Sequence, residues 1–153
     1  MKILLIEDNE HKRKKINDFI NNLNLDINID LACSYTTGLN KAKTETYDLL
    51  ILDMSMPTFD KTPNESGGRF RTFGGKEIIR QLKRKRKEVA FCIVSSYPKF
   101  SEDNNQTFSL EDIGKMLEEV SPEYYIGTIF YNTREIKWRE DLEKIIINIG
   151  SVG

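Results

Sequence analysis

The sequence has almost no net charge. Its 23 lysines and arginines face 24 aspartates and glutamates, leaving −1, a balance that excludes any general drive toward nucleic acid or an anionic membrane surface. Cysteine is scarce as well. Cys33 and Cys92 both lie in apolar runs, with no CxxC and no zinc-ligand spacing. A disulfide framework and a structural zinc site are thereby excluded, and both residues read as reduced, buried, small hydrophobes of a cytosolic protein. No run approaches the ~18 apolar residues of a membrane span. The opening MKILLIEDNE meets its acids too soon to be a signal peptide. There is no internal repeat and no low-complexity tract. His11, the single histidine, sits among charged residues at the start of a helical pattern and reads as a surface residue, not a ligand or phosphodonor.

What remains is enough apolar sequence, 39% of 153 residues, for one core, and residues 1–153 read as a single domain. Three unbroken apolar runs stand out. Ile3 to Ile6 ends at Glu7-Asp8, Leu49 to Leu52 ends at Asp53, and Val89 to Val94 ends at Ser95-Ser96. Runs of this kind are strands buried on both faces. INIDLAC, from Ile27, alternates apolar with polar and reads as an edge strand, and YYIGTIFY, residues 124–131, as the last strand. Between them lie helical patterns. Ile16, Phe19, Ile20 and Leu23 recur at helical spacing, as do Leu39 and Ala42, then Ile78, Ile79 and Leu82, then Leu110, Ile113, Leu117 and Val120, and finally Trp138, Leu142, Ile145, Ile146 and Ile149. Ser109 is placed to cap the fourth helix and Thr133 the fifth. The segments 58–74 and 98–107, rich in Gly, Pro, Ser and Asn, read as loops, the first as an inserted loop after the third strand.

Strand and helix alternate five times, which predicts an α/β fold with a doubly wound, five-stranded parallel sheet in the order 2-1-3-4-5, flavodoxin-like. Ligands of such sheets bind beyond the carboxyl ends of the strands at the switch point. Glu7, Asp8, Asp53 and Ser95 all end strands there. One acid at a strand end usually caps the next helix, and Asp8 or Asn9 could do no more than that. Three acids converging would repel each other, and a hard divalent cation relieves the repulsion. Magnesium suits the set, because it takes a few carboxylates and keeps waters for a phosphate oxygen to replace. An aspartate so neutralised can attack phosphorus and hold an acyl phosphate.

These motifs resemble the receiver domain of two-component response regulators. MKILLIEDN is similar to that family's first strand with its acid pair, DLLILDMSMP to the strand carrying the phosphoacceptor, FCIVSS to the fourth strand, and EYYIGTIF to the fifth. The resemblance implies that Asp53 is the phosphoacceptor, that Asp8 binds Mg2+ directly and Glu7 through water, and that the Ser55 backbone carbonyl completes the protein's share. It implies that Ser95 and Tyr125 form the switch. It also implies a histidine kinase or phosphotransfer protein as phosphate source and output by protein–protein contact, with a homodimer through the face of the fourth helix, fifth strand and fifth helix as a further option. No output domain is expected after the fifth helix, and no enzymatic product beyond the domain's own autophosphorylation and autodephosphorylation.

Two features depart from the pattern. The family's Lys-Pro at the end of the fifth strand aligns with Thr128 and Ile129, and residues 116–136 hold no lysine. The inserted loop carries Arg69 and Arg71, either of which could replace that cation. Lack of that cation would weaken phosphoryl transfer or the switch, and the alternative reading is a pseudo-receiver, an interaction module that is not phosphorylated. A metal-dependent phosphohydrolase is a third reading, weakened by Ser55 where the commonest such family has a second aspartate. The basic run KRKRK at 83–87 reads as a solvated helix end, and Gly67-Gly68 and Gly74-Gly75, without a GxxxxGK[ST] pattern, as loop and helix entry.

Overall fold

The computed structural model describes residues 1–101 and 106–152. In chain order it forms β1 (Lys2–Ile6), α1 (Glu10–Asn21), β2 (Asn28–Ala32), α2 (Tyr35–Thr44), β3 (Leu49–Leu52), β4 (Met56–Pro57), β5 (Phe70–Arg71), α3 (Gly74–Arg84), β6 (Phe91–Ser95), β7 (Lys99–Ser101), β8 (Thr107–Ser109), α4 (Leu110–Val120), β9 (Tyr125–Phe130) and α5 (Lys137–Val152). The main sheet has the order β2-β1-β3-β6-β9 and every pairing in it is parallel. This is the expected 2-1-3-4-5 order of the flavodoxin-like receiver fold, with the alternating second strand at an edge.

The apolar runs work because successive side chains of a strand point to opposite faces. Leu4, Ile6, Leu50, Leu52, Phe91 and Ile93 turn to one layer, where Ala42, Ile78, Ile79, Leu82, Ile113 and Leu117 of α2, α3 and α4 cover them. Ile3, Leu5, Leu49, Ile51, Cys92 and Val94 turn to the other, covered by Ile16 and Ile20 of α1 and Trp138, Leu142 and Ile146 of α5. Strands feeding both layers must be apolar at every position.

Four local expectations change. Thr133 does not cap the last helix, which begins at Lys137. The Asn132 side chain accepts the Arg134 amide at 3.0 Å instead, and the resulting turn delays the helix. The segment after the third strand is closed at its base, because Met56 and Pro57 pair antiparallel with Arg71 and Phe70. The 98–107 segment carries a second ribbon, β7 against β8, and residues 102–105 of that expected loop lie outside the described residues. Ser109 does cap α4, in a reciprocal capping box with Asp112. Cys92 is buried, but Cys33 is half-buried; both are free. The basic run ends α3. Lys83 donates to the Val120 carbonyl at the end of α4 at 2.7 Å, and Lys87 to the Lys43 carbonyl near the end of α2, where cations complement the helix dipole.

Candidate functional site

β1 and β3 are neighbours, with Ile6 opposite Leu52, so the residues that follow them emerge side by side. The Asp53 amide donates to the Ile6 carbonyl at 3.2 Å. Glu7 and Asp53 are buried, 2% and 4% exposed. Both border an open cleft of about 440 Å³ whose walls include Asp8, Lys12, Lys61, Tyr97 and Tyr131. α3 is drawn close under Asp53. Its Gly75 amide donates to the Met54 carbonyl at 2.8 Å, and a Cβ on Gly75 would stand 2.6 Å from the Asp53 carbonyl oxygen. Glycine is needed there for the approach, not for a turn.

The centre of the site is a cation that the sequence reading missed. The Lys12 ammonium donates to Asp53 Oδ2 at 3.0 Å and to the Val94 carbonyl at 2.7 Å, and lies 3.0 Å from Glu7 Oε2. All three of its donors are directed at oxygen. Lys12 is 4% exposed. It comes from the first turn of α1, which Asn9 caps by accepting the Lys12 amide at 2.9 Å; Glu7 Oε1 in turn accepts the Asn9 amide at 3.1 Å. A signal existed. Lys12 precedes Ile16 by four residues and Ile20 by eight, which puts it on the buried face of the helix. It was hidden in the charged string HKRKK, which reads as a solvated face.

The electrostatics follow from burial. Desolvation pushes the Glu7 carboxyl up to about 8, with Lys12 pulling it down and Asp53 adding to the rise. Asp8 is also raised, mainly by burial, with Lys61 working against it. For Lys12, burial works to lower the pKa, but Asp53 and Glu7 outweigh it and hold the ammonium above its ordinary value. At Glu7 and Asp8 burial thus favours the neutral carboxyl, while at Lys12 the carboxylate contacts favour the charged ammonium.

Other expected residues are placed as follows. Ser55 borders the cleft, its hydroxyl donating to the Thr72 carbonyl at 2.7 Å. Ser95 is fully buried and its hydroxyl is engaged with the Tyr97 backbone, accepting the amide at 3.2 Å. Tyr125 lies away from the cleft, packed on Phe91, with its hydroxyl 2.6 Å from that of Thr128. The replacement cation expected at Arg71 is elsewhere: its guanidinium pairs with Glu77 at 2.7 Å, stacks over Tyr35 and donates to Thr58. The paired strands β4 and β5 turn it toward α2 and α3. Arg69 is exposed and does not border the cleft. Thr128 is opposite Ile93, two residues short of the strand end; the residue just past β9 that reaches the cleft is Tyr131.

A Mg2+ ion fits these residues in one manner. Among the described residues, no three His, Cys, Asp or Glu side chains are arranged to hold a metal; the cation between Glu7 and Asp53 is the Lys12 ammonium. Asp8, Asp53 and the Ser55 carbonyl remain, and Mg2+ needs no more than one or two carboxylates with water completing its octahedron. Asp8 has one weak competitor, the Lys61 ammonium of the inserted segment at 3.8 Å.

The chain is similar to known proteins along nearly its whole length. A family model described as the response regulator receiver domain matches residues 3–114. The Detocs response regulatory protein DtcB of Enterobacter cloacae (strain JD6301) is 28% identical over 155 aligned residues, covering 97% of this chain and all of that protein. An uncharacterized protein of Sinorhizobium fredii, y4jR, is 21% identical across 97% of this chain and 99% of its own. Among solved structures, a receiver domain from Clostridium thermocellum superposes with a TM-score of 0.63 at 19% identity, covering 97% of this chain and 92% of that one. The receiver domain of a Pseudomonas aeruginosa sensor histidine kinase, whose structure has a magnesium ion coordinated in the active-site cleft, gives 0.59 at 18% identity, covering 97% of each chain. Structural likeness at such identities speaks for the fold.

Proposed function

Because the chain belongs to the response regulator receiver domain family, we propose that it is a Mg2+-dependent phosphoacceptor of a phosphorelay, taking a phosphoryl group on Asp53 from a histidine kinase or phosphotransfer protein and passing its state on by protein–protein contact. One observation carries this reading. Asp53 is buried at a strand end, charge-paired with an ammonium, and still borders an open cleft. A purely structural buried aspartate has no need of the opening.

In this reading Asp8, Asp53 and the Ser55 carbonyl hold Mg2+, with Glu7 reaching it through water. The bound ion would neutralise charge on the phosphoryl oxygens and orient the donor. Asp53 supplies the attacking oxygen. Ser95, freed from the Tyr97 backbone, would hydrogen-bond the phosphoryl group, and Tyr125 would turn inward with it, changing the surface of α4, β9 and α5. A homodimer through that surface belongs to the same reading.

Incubation with acetyl phosphate and Mg2+ is expected to add one phosphoryl mass, absent in Asp53→Asn and absent with a chelator. No added mass in the wild type would leave an unphosphorylated interaction module. Sustained hydrolysis of a phosphate ester would instead show a phosphohydrolase.

A further inference from the structure

We infer that Lys12, delivered from the first turn of α1, is the group that pairs with the phosphoryl group on Asp53, the task for which β9 supplies no cation. This rests on the phosphoacceptor reading. The Lys12 ammonium already touches the acceptor carboxylate, 3.0 Å from Asp53 Oδ2. Its position is fixed from three sides, by Glu7 Oε2, by the Val94 carbonyl and by the Tyr131 ring, whose centroid is 5.6 Å away. The helix that carries it is anchored on both sides of it. Asn9 caps the turn at the Lys12 amide, and Ile16 and Ile20 are buried beneath.

The alternatives lie elsewhere. Arg71 is spent on Glu77 and Tyr35, and Lys61 reaches Asp8. A buried lysine is uncommon unless fully paired, and this one sits where charge develops in the reaction. As an Asp53 carboxylate oxygen attacks phosphorus, the new O–P bond forms while the O–P bond to the leaving acetate breaks, and the acetate departs with the electron pair. Lys12 keeps its proton throughout. It offsets charge on the transferring oxygens as a buried cation already fixed in place, which needs no reorganisation at the moment of reaction.

Delivery from a helix has a consequence for the metal. Lys12 pairs with Asp53 and contacts Glu7 but does not touch Asp8, so its charge opposes Mg2+ while promoting phosphoryl transfer. A lysine that only propped the fold would oppose the ion as well, but its loss would leave phosphoryl uptake unchanged once folding and Mg2+ binding are intact. Lys12→Met keeps the bulk of the side chain and removes the charge. Lys12→Met/Glu7→Gln also removes one of the two carboxylates left facing each other, and so guards against misfolding. Two quantities are measured on the full chain, namely Mg2+ affinity by calorimetry without phosphodonor, and the rate of phosphoryl uptake from acetyl phosphate at saturating Mg2+. The inference expects Lys12→Met to bind Mg2+ as tightly as wild type or severalfold tighter, and the double variant to bind it no worse than Glu7→Gln. It expects uptake at least tenfold slower than wild type in Lys12→Met and than Glu7→Gln in the double variant. Uptake by the double variant within threefold of Glu7→Gln would overturn the role of Lys12 and leave Asp53 as acceptor. Loss of Mg2+ binding along with uptake in both variants would reduce Lys12 to a structural prop and overturn it too. No uptake by the wild type would overturn the phosphoacceptor reading, and this inference with it.

Discussion

Glu7 and Lys12 set the charge state of the site. Glu7 is raised to about 8, chiefly by burial, so the folded chain holds a proton that the unfolded chain releases near the ordinary glutamate value of about 4.3. Between those values the native state binds more protons than the unfolded state, and stability must fall as pH rises. The contribution is full below the unfolded pKa and gone above about 8. The slope for one such proton is at most about 1.4 kcal/mol per pH unit. Chemical denaturation in metal-free buffer between pH 5 and 8 is expected to show this fall, and Glu7→Gln, which fixes the neutral form, to flatten most of it. Asp8, raised in the same direction, leaves a smaller residual slope. A wild-type stability that rose across this range would contradict the assignment. Added Mg2+ should oppose the fall, since it binds the ionised carboxylates of the folded state.

At the scale of elements, the entry of α3 is the most tightly constrained. Gly75 lets the helix approach the Asp53 backbone closely enough that a methyl group would collide with the carbonyl oxygen at 2.6 Å. Gly75→Ala is expected to cost about 1–3 kcal/mol, the range for overpacking a tight site, and to slow phosphoryl uptake by displacing the loop after β3. Retained stability with normal uptake would show that the helix can shift freely. This contact also shows what the sequence could reveal. The sheet order was legible because buried parallel strands must be apolar throughout, and Leu49–Leu52 feeds both layers. Asp53 was legible because it ends such a run. Lys12 was not, since the eye reads a charged string as solvent-facing although its spacing to Ile16 and Ile20 says otherwise. Arg71 was misplaced because a ribbon of two short strands, Met56–Pro57 with Phe70–Arg71, carries no period long enough to read, and that ribbon decides where the guanidinium points. The delayed start of α5 has the same cause: the turn in which the Asn132 side chain accepts the Arg134 amide is too short to carry a readable period.

Across the whole molecule, the proposed role of Lys12 bears on which layer would sense the site. Tyr125 packs in the layer of α4, with Phe91 and Ile113. Lys12 leads the other way. Its ammonium lies 5.6 Å from the Tyr131 ring centroid, Tyr131 stands 5.0 Å from Trp138, and Trp138 meets Phe19 of α1 edge-on at 5.3 Å. A run of rings thus connects Lys12, the partner of Asp53, to α5 and back to the helix that carries it. A lysine on β9 would have been anchored in the strand itself; one on α1 transfers any shift in its ion pairs to a helix and the aromatic layer beneath it. Such packed contacts respond by discrete rearrangement, not by gradual deformation. Trp138 is the sole tryptophan and is 2% exposed, so its emission reports on this layer alone. Saturating Mg2+ with beryllofluoride, a phosphoryl mimic, is expected to change Trp138 fluorescence in the wild type and not in Asp53→Asn. Tyr131→Leu should diminish that change more than Tyr125→Phe does, because only Tyr131 lies between the acceptor and the indole. Equal effects of the two substitutions would place the response in the α4 layer, and the run of rings would then be core packing and nothing more.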